Sequence, residues 1–236
     1  MIEAEIKVTG GSTLWSVQTG EGDLPVILLN GGPGCDDYLA PVAEVISDIA
    51  TVVRFEPRGC GRSSWDGRYD LATAIADIEA VRQHWNLTNP VLVGHSFGPD
   101  LGLAYLLANP SRVRGLVGLA GGRIVNDRQW HAIYEEGKDR EENPGFHADP
   151  GVNPQLINDY RAWCHRAELL RDIADIACPV RYISAAKDIR PSWPAQQLAS
   201  LIPDGSYAEI AGVDHYIWRS PAFGPLFRQV LGDAFG

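Results

Sequence analysis

Val91-Leu92-Val93-Gly94-His95-Ser96-Phe97-Gly98-Pro99 runs from a short apolar triplet, through glycines flanking a serine, towards Leu101–Ala108, which is apolar on nearly every side and stops at Asn109-Pro110. The triplet reads as a strand buried on both faces, and the longer stretch as a buried helix ended by proline. Pro99 suits a first helical position, where its missing N–H costs nothing. A G-x-S-x-G motif is weak alone. Between a strand and a helix it puts the serine on a sharp turn, with its hydroxyl above the carboxyl edge of a sheet. The helix N-terminus behind it favours developing negative charge.

Similar strand signals lie on either side: Ile2–Val8, Thr13–Val17, Pro25–Leu29, Thr51–Phe55, Val113–Leu119, Val180–Ile183 and Tyr207–Ile210. Helical patterns alternate with them. Asp70 is placed to cap a helix whose inner face is Leu71, Ala74, Ile75, Ile78, Val81 and Trp85, and Pro191–Leu201 and Pro221–Leu231 read as the last two helices. This alternation predicts an α/β fold: a mostly parallel sheet with helices on both faces. Between Gly122 and Cys178 no strand pattern occurs. Trp130, Ile133 and Tyr134 share one helical face. Leu156, Ile157, Tyr160, Trp163, Ala167 and Leu170 share another, and a loop from Asn143 to Pro154 separates the two. The expectation is one domain, 1–236, with a helical insertion at about 123–177 that either caps the sheet edge or covers one sheet face.

The composition, 45% hydrophobic and 21% charged, is that of an ordinary globular protein of 236 residues. A net charge of −10 argues against nucleic acid and anionic membrane surfaces as partners and leaves a small-molecule substrate, with the oligomeric state open. The first residues do not read as a signal peptide, no apolar run is long enough to span a bilayer, and the cysteines Cys35, Cys60, Cys164 and Cys178 are widely spaced. A cytoplasmic protein with reduced thiols is the expectation. No metal-binding spacing of His, Cys or carboxylates is present, and no cofactor is expected.

A serine hydroxyl needs a base, and the base needs a third group to fix its tautomer. His215 follows a strand-like stretch and Gly212, which puts it in a loop at a sheet edge. His95 adjoins the serine, but consecutive side chains on a tight turn diverge, so it reads as structural. His84 falls on the polar side of its helix, and His131, His147 and His165 belong to the insertion. Asp188, after the strand Val180–Ile183, is the candidate acid, since carboxylates in such loops reach the carboxyl edge of an open α/β sheet. Asp214 is too close in sequence to His215 to reach its ring. Glu56 is a weaker candidate, as is Asp100, which suits the helix dipole. The order Ser96, Asp188, His215 results. The glycine loop Asn30-Gly31-Gly32-Pro33-Gly34 follows a strand, and one of its amides together with that of Phe97 can form an oxyanion hole. It is not a phosphate loop, because no Gly-Lys-Ser/Thr follows.

These motifs resemble those of the α/β-hydrolase superfamily, and within it the prolyl iminopeptidase-like branch. That branch carries His-Gly-Gly-Pro-Gly, then Asp-x-Arg-Gly-x-Gly-x-Ser, then the serine elbow. This chain has Asn30-Gly31-Gly32-Pro33-Gly34, Glu56-Pro57-Arg58-Gly59-Cys60-Gly61-Arg62-Ser63 and Gly94-His95-Ser96-Phe97-Gly98. The resemblance implies the α/β-hydrolase fold, with Ser96, Asp188 and His215 as catalytic residues and Gly32 and Phe97 supplying the oxyanion amides. Asn30 and Glu56 depart from the pattern, as does the elbow, which is Gly-Gly-Ser-Trp-Gly in true prolyl iminopeptidases. Those enzymes also have a larger acidic cap that binds the substrate's amine. Here Glu135, Glu136, Glu141, Glu142 and Asp100 are the candidates for that role.

The functional expectation is hydrolysis of an ester or amide bond of a small substrate through an acyl-enzyme. Proline iminopeptidase-type action, carbon–carbon bond hydrolysis or cleavage on the same fold, and a catalytically silent ligand-binding relative remain as alternatives.

Overall fold

The computed structural model describes residues 1–124, 127–142 and 145–236. Eight strands form one sheet: β1 (Ile2–Lys7), β2 (Thr13–Thr19), β3 (Leu24–Leu29), β4 (Ala50–Phe55), β5 (Val91–His95), β6 (Gly115–Leu119), β7 (Val180–Ala185) and β8 (Gly205–Ile210). Eight helices accompany them among the described residues: α1 (Ala40–Val45), α2 (Leu71–His84), α3 (Gly98–Ala108), α4 (Arg128–Gly137), α5 (Val152–Cys164), α6 (Leu169–Ala174), α7 (Trp193–Leu201) and α8 (Phe223–Phe235).

The strand order is β1-β2-β4-β3-β5-β6-β7-β8. β1 and β2 pair antiparallel, as do β2 and β4, and every later pairing is parallel. Alternation along each central strand splits the core in two. Ile27, Leu29, Leu92 and Leu116 face a cluster shared with α2, α3, α5 and α7. Val26, Leu28, Val91, Val93 and Val117 face a second cluster, closed by Val42 of α1 and Phe223, Phe227 and Leu231 of α8. Both faces are therefore dry, which is why these strands read as continuous apolar runs. Asp70 caps α2 by accepting the Thr73 amide at 2.8 Å, a contact of about 1 kcal/mol.

Three readings of the sequence need correction. α1 was not anticipated: six residues opening on Ala40-Pro41 are too short to show a period. The face that joins Leu156 to Leu170 is not one helix. His165 and Arg166 bond back to Ala162 and Trp163, three residues earlier, and this tightening ends α5 at Cys164. The apolar spacing merely continues across the break into α6, where Leu170 is 58% exposed. The expected loop Asn143–Pro154 ends earlier, since Pro154 lies in the first turn of α5, and Asn143 and Pro144 lie outside the described residues.

The helices α4, α5 and α6 all lie between β6 and β7. α5 is tied down at several points. The Tyr69 amide donates to Gln155 Oε1 at 3.0 Å, the Leu71 amide to Asp159 Oδ2 at 2.8 Å, and Asn153 Nδ2 to the Pro33 carbonyl at 2.8 Å. Val152, Leu156 and Tyr160 join the core of one sheet face. The insertion thus covers part of a face and also reaches the loops at the carboxyl edge.

Candidate active site

β5 ends at His95 and α3 begins at Gly98, so the chain reverses within two residues. Ser96 adopts φ +61°, a conformation seldom seen outside glycine. The flanking glycines make the turn possible: a Cβ on Gly94 would lie 2.2 Å from the Gly98 carbonyl carbon, and one on Gly98 would lie 2.2 Å from the Leu29 oxygen. The Ser96 amide donates to the Leu119 carbonyl at 3.0 Å and pins the elbow to the exit of β6.

Ser96 lines a cavity of about 330 Å³ together with Gly32, Phe97, Asp100, Arg123 and Asp188. The insertion supplies its far wall, through Trp130 and Tyr134 of α4 and Ile157 and Arg161 of α5. The size suits a small molecule. The amides of Gly32 and Phe97 have no hydrogen-bond partner among the described residues, whereas that of Gly31 donates to the Tyr38 hydroxyl at 2.8 Å.

The structure brings His215 and Asp188 together: His215 Nδ1 donates to Asp188 Oδ2 at 2.6 Å, and both side chains are buried. Burial alone would raise the Asp188 carboxyl. The hydrogen bond and charge of His215, together with Arg190, outweigh it and hold the group below its usual range. An ionised carboxylate accepts only, so Nδ1 carries a proton, and in the neutral tautomer Nε2 is the free acceptor. His215 and Asp188 line a neighbouring cavity with Glu141 and Tyr216. Among the described residues the Ser96 hydroxyl makes no hydrogen bond. The contact between His215 and Asp188 is made, and one between Ser96 and His215 is not.

His95 is buried beside this pair, its ring centroid 4.5 Å from that of His215. Its Nε2 lies 2.9 Å from the His215 carbonyl and its Nδ1 2.7 Å from the Tyr38 hydroxyl. Burial first, and then the neighbouring His215, push its pKa well down, so it is neutral. Asp214 borders the same neighbouring cavity but makes no hydrogen bond to His215 among the described residues; its Oδ1 accepts the Tyr216 amide and its side chain is 58% exposed.

A family model described as alpha/beta hydrolase fold matches residues 25–173. The chain belongs to this family. Its curated relatives include the proline iminopeptidase of Arabidopsis thaliana, 32% identical over 136 residues, which make up 56% of this chain and 36% of that protein. The proline iminopeptidase of Neisseria gonorrhoeae is 34% identical over 119 residues, 44% of this chain and 34% of that one. The chain spans only about a third of the length of these relatives. Two solved structures share the alpha/beta hydrolase fold. An esterase from Exiguobacterium antarcticum superposes with a TM-score of 0.79 at 20% identity, over 98% of this chain and 100% of that one. Proline iminopeptidase from Mycobacterium smegmatis superposes with a TM-score of 0.72 at 17% identity, over 99% of this chain and 98% of that one.

Asn30 and Glu56, which depart from the prolyl iminopeptidase-like pattern, both have structural partners. Asn30 Nδ2 donates to the Phe55 carbonyl at 3.1 Å. Glu56 accepts the Arg62 side chain and the amides of Arg62 and Asp37, so it is committed to the loop and not to His215. Asp100 is more than a helix-dipole residue. It is buried, accepts the Arg123 amide at 2.7 Å, and is raised to about 7 by that burial, with Arg123 opposing the shift. Of the insertion acids, Glu135 pairs with Lys138 and Glu142 with Arg219, and Glu136 is exposed. Glu141 pairs with Arg190 at 2.5 Å.

Sequence reasoning missed Tyr38, Arg123 and Arg190. Arg190 is two residues from Asp188, and its amide donates to Asp188 Oδ1 at 2.9 Å. An arginine that close to a candidate acid was the available signal.

Proposed function

We propose that the protein is a serine hydrolase that cleaves an ester or amide bond of a small substrate through an acyl-enzyme. The observation that carries this reading is the 2.6 Å contact between His215 Nδ1 and Asp188 Oδ2, with Asp188 lining the same cavity as the strained Ser96 elbow. In the proposed reaction the substrate carbonyl enters next to Ser96, and the hydroxyl turns onto His215 Nε2, a contact often long before substrate binds. Nε2 takes the hydroxyl proton as Oγ bonds to the carbonyl carbon. The oxygen that gains negative charge is held by the Gly32 and Phe97 amides, neither of which has a competing partner among the described residues. Collapse expels the leaving group, which takes the proton from His215, and water then reverses the sequence to free the acid and Ser96. Neutral His95 keeps a second positive charge away from the imidazolium formed in each step.

In the same reading residues 1–236 form one catalytic domain, and the insertion at about 123–177 acts as its cap. The four free cysteines support a reducing compartment such as the cytoplasm. No helix among the described residues is long and apolar enough to cross a membrane.

The test is labelling with a fluorophosphonate probe. Wild type is expected to label at Ser96, and Ser96→Ala to lose both the label and turnover of a short activated ester while remaining folded. Labelling retained at another serine would overturn the assignment.

A further inference from the structure

Most of the charges around the Ser96 cavity are already answered. Asp188 is held by His215 and Arg190, Arg190 by Glu141 as well, and Glu135 by Lys138. Asp100 accepts the Arg123 amide and forms no ion pair among the described residues. Arg123 and Arg161 remain. Both line the cavity, and neither guanidinium has an ion-pair partner among the described residues.

Arg123 is also fixed in place. Its amide donates to Asp100, its carbonyl accepts the Tyr160 hydroxyl at 2.6 Å, and its guanidinium stacks 4.0 Å above the Trp130 ring. Arg123 Nη1 is buried without a hydrogen-bond partner among the described residues. A charged donor left so is costly, and its natural complement is a charged acceptor. Arg161 stands on the same wall, and the two arginines also border an adjoining cavity of about 250 Å³. A planar guanidinium fork beside a second cation matches a carboxylate.

We propose that Arg123 and Arg161 form a carboxylate-binding subsite, so that the substrate carries an acid group on the part that lies against α4 and α5. This deepens the serine-hydrolase reading and rests on it for turnover, although not for binding.

Two matched ester pairs test the proposal. One is 4-nitrophenyl hemiadipate against its methyl ester, with the acid in the acyl part. The other is 4-carboxyphenyl butyrate against the corresponding methyl ester, with the acid in the leaving group. In at least one pair the anionic member should be preferred by about tenfold or more in kcat/KM, mainly through KM, and the ratio should fall towards one in Arg123→Gln and Arg161→Gln. Arg161 is exposed, so its variant keeps the proposal testable if the other fails to fold. No preference in either pair, or a preference that survives both substitutions, would overturn it. Adipate binding to Ser96→Ala, followed by calorimetry, separates the subsite from the catalytic reading. Saturable binding weakened about tenfold by either arginine substitution supports the subsite even if no ester is turned over. Absent binding, binding indifferent to the arginines, or phosphate binding as tight as adipate would sink it.

Discussion

The Tyr38 hydroxyl donates to His95 Nδ1 across 2.7 Å. The direction follows from the other side of the ring. His95 Nε2 faces a carbonyl, that of His215, and must carry the proton, so a neutral imidazole has a bare Nδ1. The same hydroxyl accepts the Gly31 amide at 2.8 Å. One chain of hydrogen bonds therefore joins the glycine loop, the elbow and the His215 loop, three segments that share no secondary structure.

Tyr38→Phe keeps the ring and removes the link, leaving the Gly31 amide and His95 Nδ1 without their partner. The expected loss of stability is about 1–3 kcal/mol. Urea denaturation of the two proteins measures it, and an unchanged midpoint would show that the chain of bonds carries no weight.

Asp188→Asn is expected to slow ester hydrolysis by roughly three to four powers of ten, because the imidazole loses the partner that sets its tautomer. Asp214→Asn, on an exposed side chain that accepts the Tyr216 amide and lies 3.9 Å from Arg219, is expected to change the rate little. Steady-state kinetics of both variants decides the matter. A larger loss at Asp214 would move the acid to that position.

The contrast between these residues shows what could be read in advance. The strands, the elbow and the loops bearing Asp188 and His215 follow from local pattern: apolar runs bounded by turn residues, and a serine between small residues at a strand end. Tyr38, Arg123 and Arg190 matter through contacts with residues distant in sequence, such as Tyr38 with His95, Arg123 with Tyr160 and Arg190 with Glu141. No periodicity encodes such pairings. The break after Cys164 was hidden because the apolar spacing runs on through it, while the last-turn bonds that end α5 leave no mark in residue type.

Asp100 gives the folded state an unusual pH dependence. Its carboxyl sits at about 7 when folded, chiefly through burial, against an ordinary value of 3.8. Between these values the native protein keeps a proton that the unfolded chain has lost. The stability it contributes is fully present below about pH 4 and falls as pH rises through about 7. Three pH units correspond to about 4 kcal/mol. Asp100→Asn retains an acceptor for the Arg123 amide and has no proton to lose. The stability of wild type minus that of the variant should therefore decline steadily from pH 4 to pH 7, as read from urea midpoints and slopes across that range. A flat difference would mean that Asp100 titrates in the ordinary range.

The choice of substrate sets the family resemblance against the charges in the cavity. An enzyme that removes an N-terminal residue must hold an ammonium group in a partly desolvated pocket, which calls for a carboxylate aimed at it. The insertion acids do not supply one. Glu135, Glu141 and Glu142 are paired with Lys138, Arg190 and Arg219, and Glu136 is exposed. Asp100 is inside, but near neutral pH burial leaves it only partly ionised. Arg123 and Arg161 on the same wall would repel an ammonium group. The protein is therefore expected to hydrolyse short acyl esters readily and proline arylamides weakly or not at all. Assays of both substrates with wild type and with Glu135→Gln, Glu136→Gln, Glu141→Gln, Glu142→Gln and Asp100→Asn give the comparison directly. Arylamide turnover that exceeds ester turnover and collapses in one of these variants would show that a carboxylate binds the amine after all, and would restore iminopeptidase action.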